Sequence, residues 1–302
     1  MNFMKAFATL LVFILCVDTA LPCIWITGTK FNGDSVSTGM GGTWHLRSAL
    51  KADRRPDGVK MEAELRGATN FNDRSDYSVA LMFLGRSEEA VTLLNQLEKE
   101  KPGEYFIAAN LGTAYELSGN NEEALKWIKE GIHRDPTSHK GTEWLHVKIL
   151  EAKIAQQKDT NYFKSHSVLE LQPEKIGVEI TVGDHTYSPK EITDAIEYQL
   201  SERMQFVKPH DAAVAGLLFD YAAIQAATET LESAEEILQM AREYGYPPDK
   251  IQPLLDLYNR RIAWRKTKRD IFYTSLGVGV VCLFAYWYKK GIFVLSRRNL
   301  KK

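Results

Sequence analysis

The chain has 302 residues, 44% of them hydrophobic, which is enough to build a core and excludes a disordered chain. Its net charge of -1 hides a split: residues 24–259 carry 25 Lys and Arg against 37 Asp and Glu, whereas residues 260–302 carry 12 against the single Asp270. That distribution excludes a nucleic-acid-tracking surface, which needs basic charge in a groove of the folded domain, and points to an acidic soluble body held at a membrane by a basic tail.

In chain order, Lys5 precedes an apolar run over 6–17. Twelve residues fall short of the roughly 20 that span a bilayer but fit the core of a secretory signal. Residues 1–22 are therefore expected to be a signal peptide, cut near Thr19 and Ala20 or just after Cys23, and the body is expected to be exported. Cys16 lies in that signal and Cys282 in the membrane run, so only Cys23 remains for the body and no disulfide framework is available. Residues 23–65 read as an irregular segment, with Gly28, Gly33, Gly39, Gly41 and Gly42 among Ser and Thr. No Gly-Lys-Ser/Thr follows Gly42, which argues against a phosphate-cradling loop.

From residue 66 to 156 the chain repeats. Gly85, Ala90, Leu94 and Pro102 fall opposite Gly119, Ala124, Ile128 and Pro136 at a spacing of 34 residues. In the second copy Leu111-Gly112, Tyr115, Ala124 and Pro136 alternate large and small residues, with Gly131 where a second Ala is common. The first copy is looser, with Tyr77-Ser78 in place of Leu-Gly and Leu97 in place of a small residue. A third first helix is expected over 142–155, with Leu145, Ile149 and Ile154 on its apolar side and no second helix after it. The period and pattern resemble the tetratricopeptide repeat. That resemblance implies an all-α, tetratricopeptide-like α-solenoid of helix-turn-helix units, whose concave face is lined by first helices and binds a protein or peptide. Carried onto this chain, the groove would consist of Val79, Met82, Phe83, Phe106, Thr113, Glu116, Leu117 and Val147. An apolar groove with acidic edges suits an amphipathic helix or an extended peptide with basic residues.

Residues 157–208 read as an insertion. Val178, Ile180 and Val182 alternate with polar residues, Gly183-Asp184 offers a turn, and His185-Thr186-Tyr187 returns, which predicts a small β-hairpin. Ser188-Pro189-Lys190-Glu191 then opens a helix whose apolar face is Ile192, Ala195, Ile196 and Leu200. Residues 209–259 read as a degenerate repeat, with helices near 210–227 and 232–244, Tyr221-Ala222, Ala234, Leu238 and Ala241 in repeat-like places, and Pro247-Pro248 at its end.

Residues 260–302 read as a basic-flanked transmembrane helix and tail. The run 271–288, opened by Ile271 and closed by Tyr288, carries no charge and is long enough to cross the lipid bilayer. Tyr273, Tyr286 and Trp287 sit where amphipathic rings favour headgroups. With an exported body, Arg297 and the residues after it would be cytoplasmic. Ser275 and Gly279 form a small-xxx-small pair, a route to a homodimer.

Chemistry-bearing patterns are sparse. His139, Glu143 and His146 share one side of a helix and are the best metal-ligand set, although the spacing matches no zinc motif and suits a solvated face equally. Glu88-Glu89 and Glu122-Glu123 open second helices, where the helix dipole explains them. No Gly-x-Ser-x-Gly, His-Glu-x-x-His or Cys-x-x-Cys occurs. The expectation is a membrane-anchored scaffold or adaptor, not an enzyme, with no metal or cofactor. The alternatives are an exported metal-binding protein or enzyme built around the histidines and the hairpin, or a structural subunit of an envelope or secretion complex.

Overall fold

The structure, a computed structural model, describes residues 25–39, 43–171, 176–177 and 179–290. The expected signal peptide with its cleavage positions, Val178 of the expected hairpin and the expected cytoplasmic tail lie outside the described residues. The described chain is mostly helical and divides into two units, Gly41–Tyr258 and the combination of Met1–Met40 with Asn259–Lys302.

The 34-residue spacing has a backbone cause. Gly85 and Gly119 adopt φ of +76° and +87°, the left-handed region that glycine enters without a Cβ penalty. Each closes a first helix in the same way. Arg86 N donates to Leu81 O and Gly85 N to Met82 O, while Asn120 N donates to Tyr115 O and Gly119 N to Glu116 O. The helices so separated are α3 (Phe71–Phe83) and α4 (Ser87–Glu100), then α5 (Tyr105–Leu117) and α6 (Asn121–Arg134). Before them come α1 (Trp44–Lys51) and α2 (Arg55–Leu65), and α2 packs on α3. Leu81, Ala90, Leu94, Leu97, Ile107, Leu111 and Ala114 form the core of these pairs.

A third first helix, α7 (Glu143–Lys158), is followed by only a short α8 (Tyr162–Ser165). The insertion then holds a hairpin of β3 (Ile180–Val182) and β4 (His185–Tyr187). Ser188 and Glu191 form a reciprocal capping box that opens α9 (Pro189–Phe206). The insertion is no appendage. Ile192, Ala195, Ile196, Leu200 and Met204 of α9 are buried, and the helix packs on α1, α7 and the following α10 (Ala212–Thr228). α10 pairs with α11 (Leu231–Glu243), and Arg47 of α1 reaches Glu243 of α11 at 2.5 Å.

In the other unit, β1 (Trp25–Thr29) and β2 (Ser35–Gly39) form an antiparallel hairpin with Thr29 opposite Ser35. The irregular segment expected over 23–65 is thus corrected to a hairpin followed by α1 and α2. Asn32-Gly33 is a hairpin-turn signal that the general richness in glycine obscures; Gly33 has φ of +89° and Asp34 N donates to Asn32 Oδ1 at 3.0 Å. The hairpin rests on α12 (Pro248–Lys289), where Arg265 Nε donates to Thr29 Oγ1 at 2.7 Å and Arg261 lies over the Phe31 ring at 4.1 Å. α12 has 42 residues and is long and apolar enough to cross a membrane, with an exposed apolar run that includes Ile271, Phe272, Leu276 and Leu283. The small-xxx-small pair lies within this run, and nothing approaches Gly279.

Two measurements check this packing. A Cβ on Gly112 would meet Ile128 Cδ1 at 2.4 Å and its backbone N at 3.3 Å, whereas one on Gly131 meets nothing nearer than 3.6 Å. In denaturant unfolding Gly112→Ala is expected to cost ~1–2 kcal/mol, and Gly131→Ala to be neutral or to stabilise by up to ~1 kcal/mol through helix propensity. Equal effects would contradict the α5–α6 contact. The second concerns Asp220 of α10, which accepts from Leu169 N at 2.9 Å and ties the 167–169 connector to the helix. Burial pushes its carboxyl up to about 7, against the 3.8 of an unburied aspartate. A raised acid favours the fold below its unfolded value and loses that advantage as pH rises through the folded one. Stability should therefore fall by roughly 4 kcal/mol between about pH 4 and pH 8, and Asp220→Asn should remove that part of the slope.

Candidate functional site

The first helices α3, α5 and α7 present one face to α9, and between them lies a cavity of about 460 Å³. Val79, Met82, Phe83, Phe106, Thr113, Glu116 and Leu117, expected to line a groove, all line this cavity. Val147 does not; it packs against Ala124, Ile128 and Leu150. The neighbouring His146 faces the cavity instead. The α6–α7 connection is irregular, with His139 and Lys140 at φ of 47° and 59°, so the face expected from repeat spacing is not the one α7 presents.

The expected open groove is roofed by α9. Phe206 stacks on Phe83 with ring centroids 4.7 Å apart, and Arg54 lies over the Phe83 ring at 5.0 Å. Beside this apolar end is a buried charge network centred on Glu116. Arg203 Nη2 donates to Glu116 Oε2 at 2.9 Å and Nη1 donates to Oε1, while Lys153 Nζ reaches Oε1 at 2.8 Å. His146 Nε2 lies 2.8 Å from Oε2. On its other side His146 Nδ1 is 3.4 Å from Glu143 Oε2, and Glu143 Oε1 is hydrogen-bonded to His139 Nδ1. The three metal-candidate residues are thus spent on one another and on Glu116. Among the described residues no three His, Cys, Asp or Glu side chains are disposed to hold a metal ion.

Electrostatics follow from this arrangement. Burial opposes the charge on Glu116, but Arg203, Lys153 and His146 outweigh it and hold the carboxyl well below the usual range. Burial likewise opposes ionisation of Glu143, yet hydrogen bonds with His139 and His146 bring it to about 2. For His146 burial disfavours the cation, and the bonds to Glu116 and Glu143 more than reverse this, raising its pKa. Tyr105, whose hydroxyl is 3.3 Å from His139 Nδ1, is pushed up to about 12 by burial. The network is built for ionised partners in a buried setting, and its charged groups line a largely apolar space.

Arg203 is the functional-face residue that sequence reasoning misses. The signal was available: spacings of four and three from Ile196 through Leu200 place Arg203 on the apolar face of α9, and a charge on such a face requires an opposite charge. Its partner lies 87 residues away, so no local pattern identifies it.

No protein-family model matches this chain, and no curated protein matches it significantly.

Removing one member of a buried ion network leaves the rest uncompensated. Glu116→Gln is expected to destabilise by ~3–5 kcal/mol, while Glu116→Met combined with Arg203→Met should recover most of that loss, as read by urea unfolding. Equal losses in the single and double variants would contradict the network. The pH profile has a fixed sign on each side. The depressed Glu116 and Glu143 contribute stability above about 4.5 that is lost as pH falls, for Glu143 through about 2. The raised His146 contributes below its usual 6.5 and loses that contribution as pH rises through its folded value. His146→Gln should reduce the alkaline slope and, because His146 also helps hold Glu116 and Glu143 down, weaken the acid side as well.

Proposed function

We propose that the chain is a membrane-anchored scaffold whose tetratricopeptide-like domain, exported and held at the bilayer by α12, recruits a protein or peptide partner. The observation that carries this reading is the pair of equivalent helical hairpins closed by Gly85 and Gly119, in the same chain as a helix long and apolar enough to cross a membrane. Stacked helical hairpins of this kind create extended surfaces whose shape suits other proteins, and a membrane helix fixes where such a surface works. With the signal segment leading, the body lies on the extracytoplasmic side and the tail in the cytoplasm. The bilayer is engaged through 271–288, and Ser275 with Gly279 gives a homodimer seam.

The roof of α9 narrows where a partner docks. Half-buried Val79 and Thr113, at the cavity lining, are the positions from which a bound peptide would be reached. The test is photocrosslinking in cells, with the crosslinking side chain at Val79 of the full-length protein and read by mass spectrometry. A defined protein captured at Val79, absent when the crosslinker is moved to exposed Glu122, and lost in a Thr113→Lys background supports the adaptor. The same captures from both positions, or none, would count against it.

A further inference from the structure

The hairpin of β1 and β2 is fixed to α12 at two heights. Thr29 Oγ1 accepts from Arg265 Nε at 2.7 Å. Two residues on, the Phe31 ring lies 4.1 Å from the Arg261 guanidinium, which also donates to Phe31 O. Four helical residues rise about 6 Å and two strand residues about 7 Å, so these contacts set β1 antiparallel to α12 with its turn pointing away from the apolar run. Thr27, about 7 Å further back along β1, comes level with Arg269, and Ser37 is its cross-strand partner. Trp25 then stands level with the first turn of the run that Ile271 opens. A headgroup layer is about 5–8 Å deep, so with the run in hydrocarbon, Thr27, Ser37, Lys268 and Arg269 all lie at headgroup height. Residues 260–270 carry six cations against Asp270 alone. Arg269 pairs with Asp270 at 3.0 Å, whereas Lys268 is exposed and lies 5.4 Å from the ring of exposed Trp264.

We propose that the hairpin and the adjoining turns of α12 form a headgroup site for an anionic phospholipid, a proposal that rests on α12 crossing the bilayer. Lys268 and Arg269 meet the phosphate, and the exposed hydroxyls of Thr27 and Ser37 donate to its oxygens. Phe272 and Leu276 follow Lys268 at spacings of four on the same helix face, and both are exposed, so they offer the acyl chains a surface directly below the charge. A soluble anion would use only the upper half of this arrangement; a phospholipid uses both. A zwitterionic lipid brings a cation of its own into a field that is already positive, which selects the anionic class. Trp264 sits where an amphipathic ring favours headgroups. The hairpin turns a charged flank into a site, because the contacts of Arg265 and Arg261 hold its hydroxyls at the height of the cations.

The test is hydrogen exchange of the full-length protein in nanodiscs of phosphatidylcholine alone and of phosphatidylcholine mixed equally with phosphatidylglycerol. Exchange over residues 25–39 is expected to slow roughly tenfold in the mixed lipid, because a ligand protects what it binds. The slowing should vanish in Lys268→Gln/Arg269→Gln protein and persist in Lys289→Gln/Lys290→Gln protein, which loses the same charge from the other end of the run. In phosphatidylcholine the first variant should exchange as wild type, showing the hairpin still docked. If it exchanges faster there, Thr27→Val decides, since valine keeps the strand and removes the hydroxyl; it should weaken the slowing. Equal exchange in both lipids, or equal loss in the two double variants, would overturn the site. Alkaline carbonate separates the two readings. Protein released from vesicles by it overturns the membrane reading and the site together, whereas protein that stays bound yet shows no lipid response overturns the site alone.

Discussion

A carboxylate almost wholly buried requires compensating charge, and the helical unit is organised around that requirement at Glu116. Arg203, Lys153 and His146 converge on it from two other helices, α9 and α7. Because Arg203 comes from the inserted helix, the network joins the insertion to the repeat-like stack. A buried ion cluster adds little net stability over an apolar replacement, but it penalises arrangements in which one partner is missing. The cluster therefore selects the position of α9, while Ile192, Ile196, Leu200 and Met204 supply the apolar burial that makes the position favourable.

Placing α9 there changes what the face formed by α3, α5 and α7 presents. An open groove accepts a helix or an extended chain; one partly covered by α9 leaves a cavity with an aromatic end, at Phe83 and Phe206, and a charged end, at Glu116, Glu143 and Arg203. Burial of the charged end also lowers the local dielectric, which strengthens each charge pair and makes each unsatisfied atom more costly.

Much of the fold was legible in the sequence. The glycine spacing, the Ser188–Glu191 cap, the hairpin near Gly183 and the apolar run of the tail are local signals, decided by backbone conformation, periodicity or length over short spans. Seven of the eight expected groove residues share one cavity because repeat spacing fixes the face of a helix without knowledge of what covers it. What was not legible is long-range. Nothing local to residues 189–206 says which surface they cover, and the pairing of Arg203 with Glu116 links positions 87 apart. Val147 packs on Ala124, Ile128 and Leu150 and not at the cavity, and the left-handed residues His139 and Lys140 before α7 are not glycines that would announce an irregular turn. The hairpin at 25–39 was lost for the opposite reason: the Asn32-Gly33 signal stood among other glycines that suggested irregularity.

The central claim is that α9 is a constitutive part of the helical unit, latched against α5 and α7 through Glu116. Hydrogen exchange of the full-length protein in detergent, followed by mass spectrometry, tests it most directly. The account predicts that amides in the last turns of α9 are as protected as those of α5, and that both open together when Glu116 is changed to Gln. Rapid exchange of α9 beside a protected α5 would contradict it and restore the open groove.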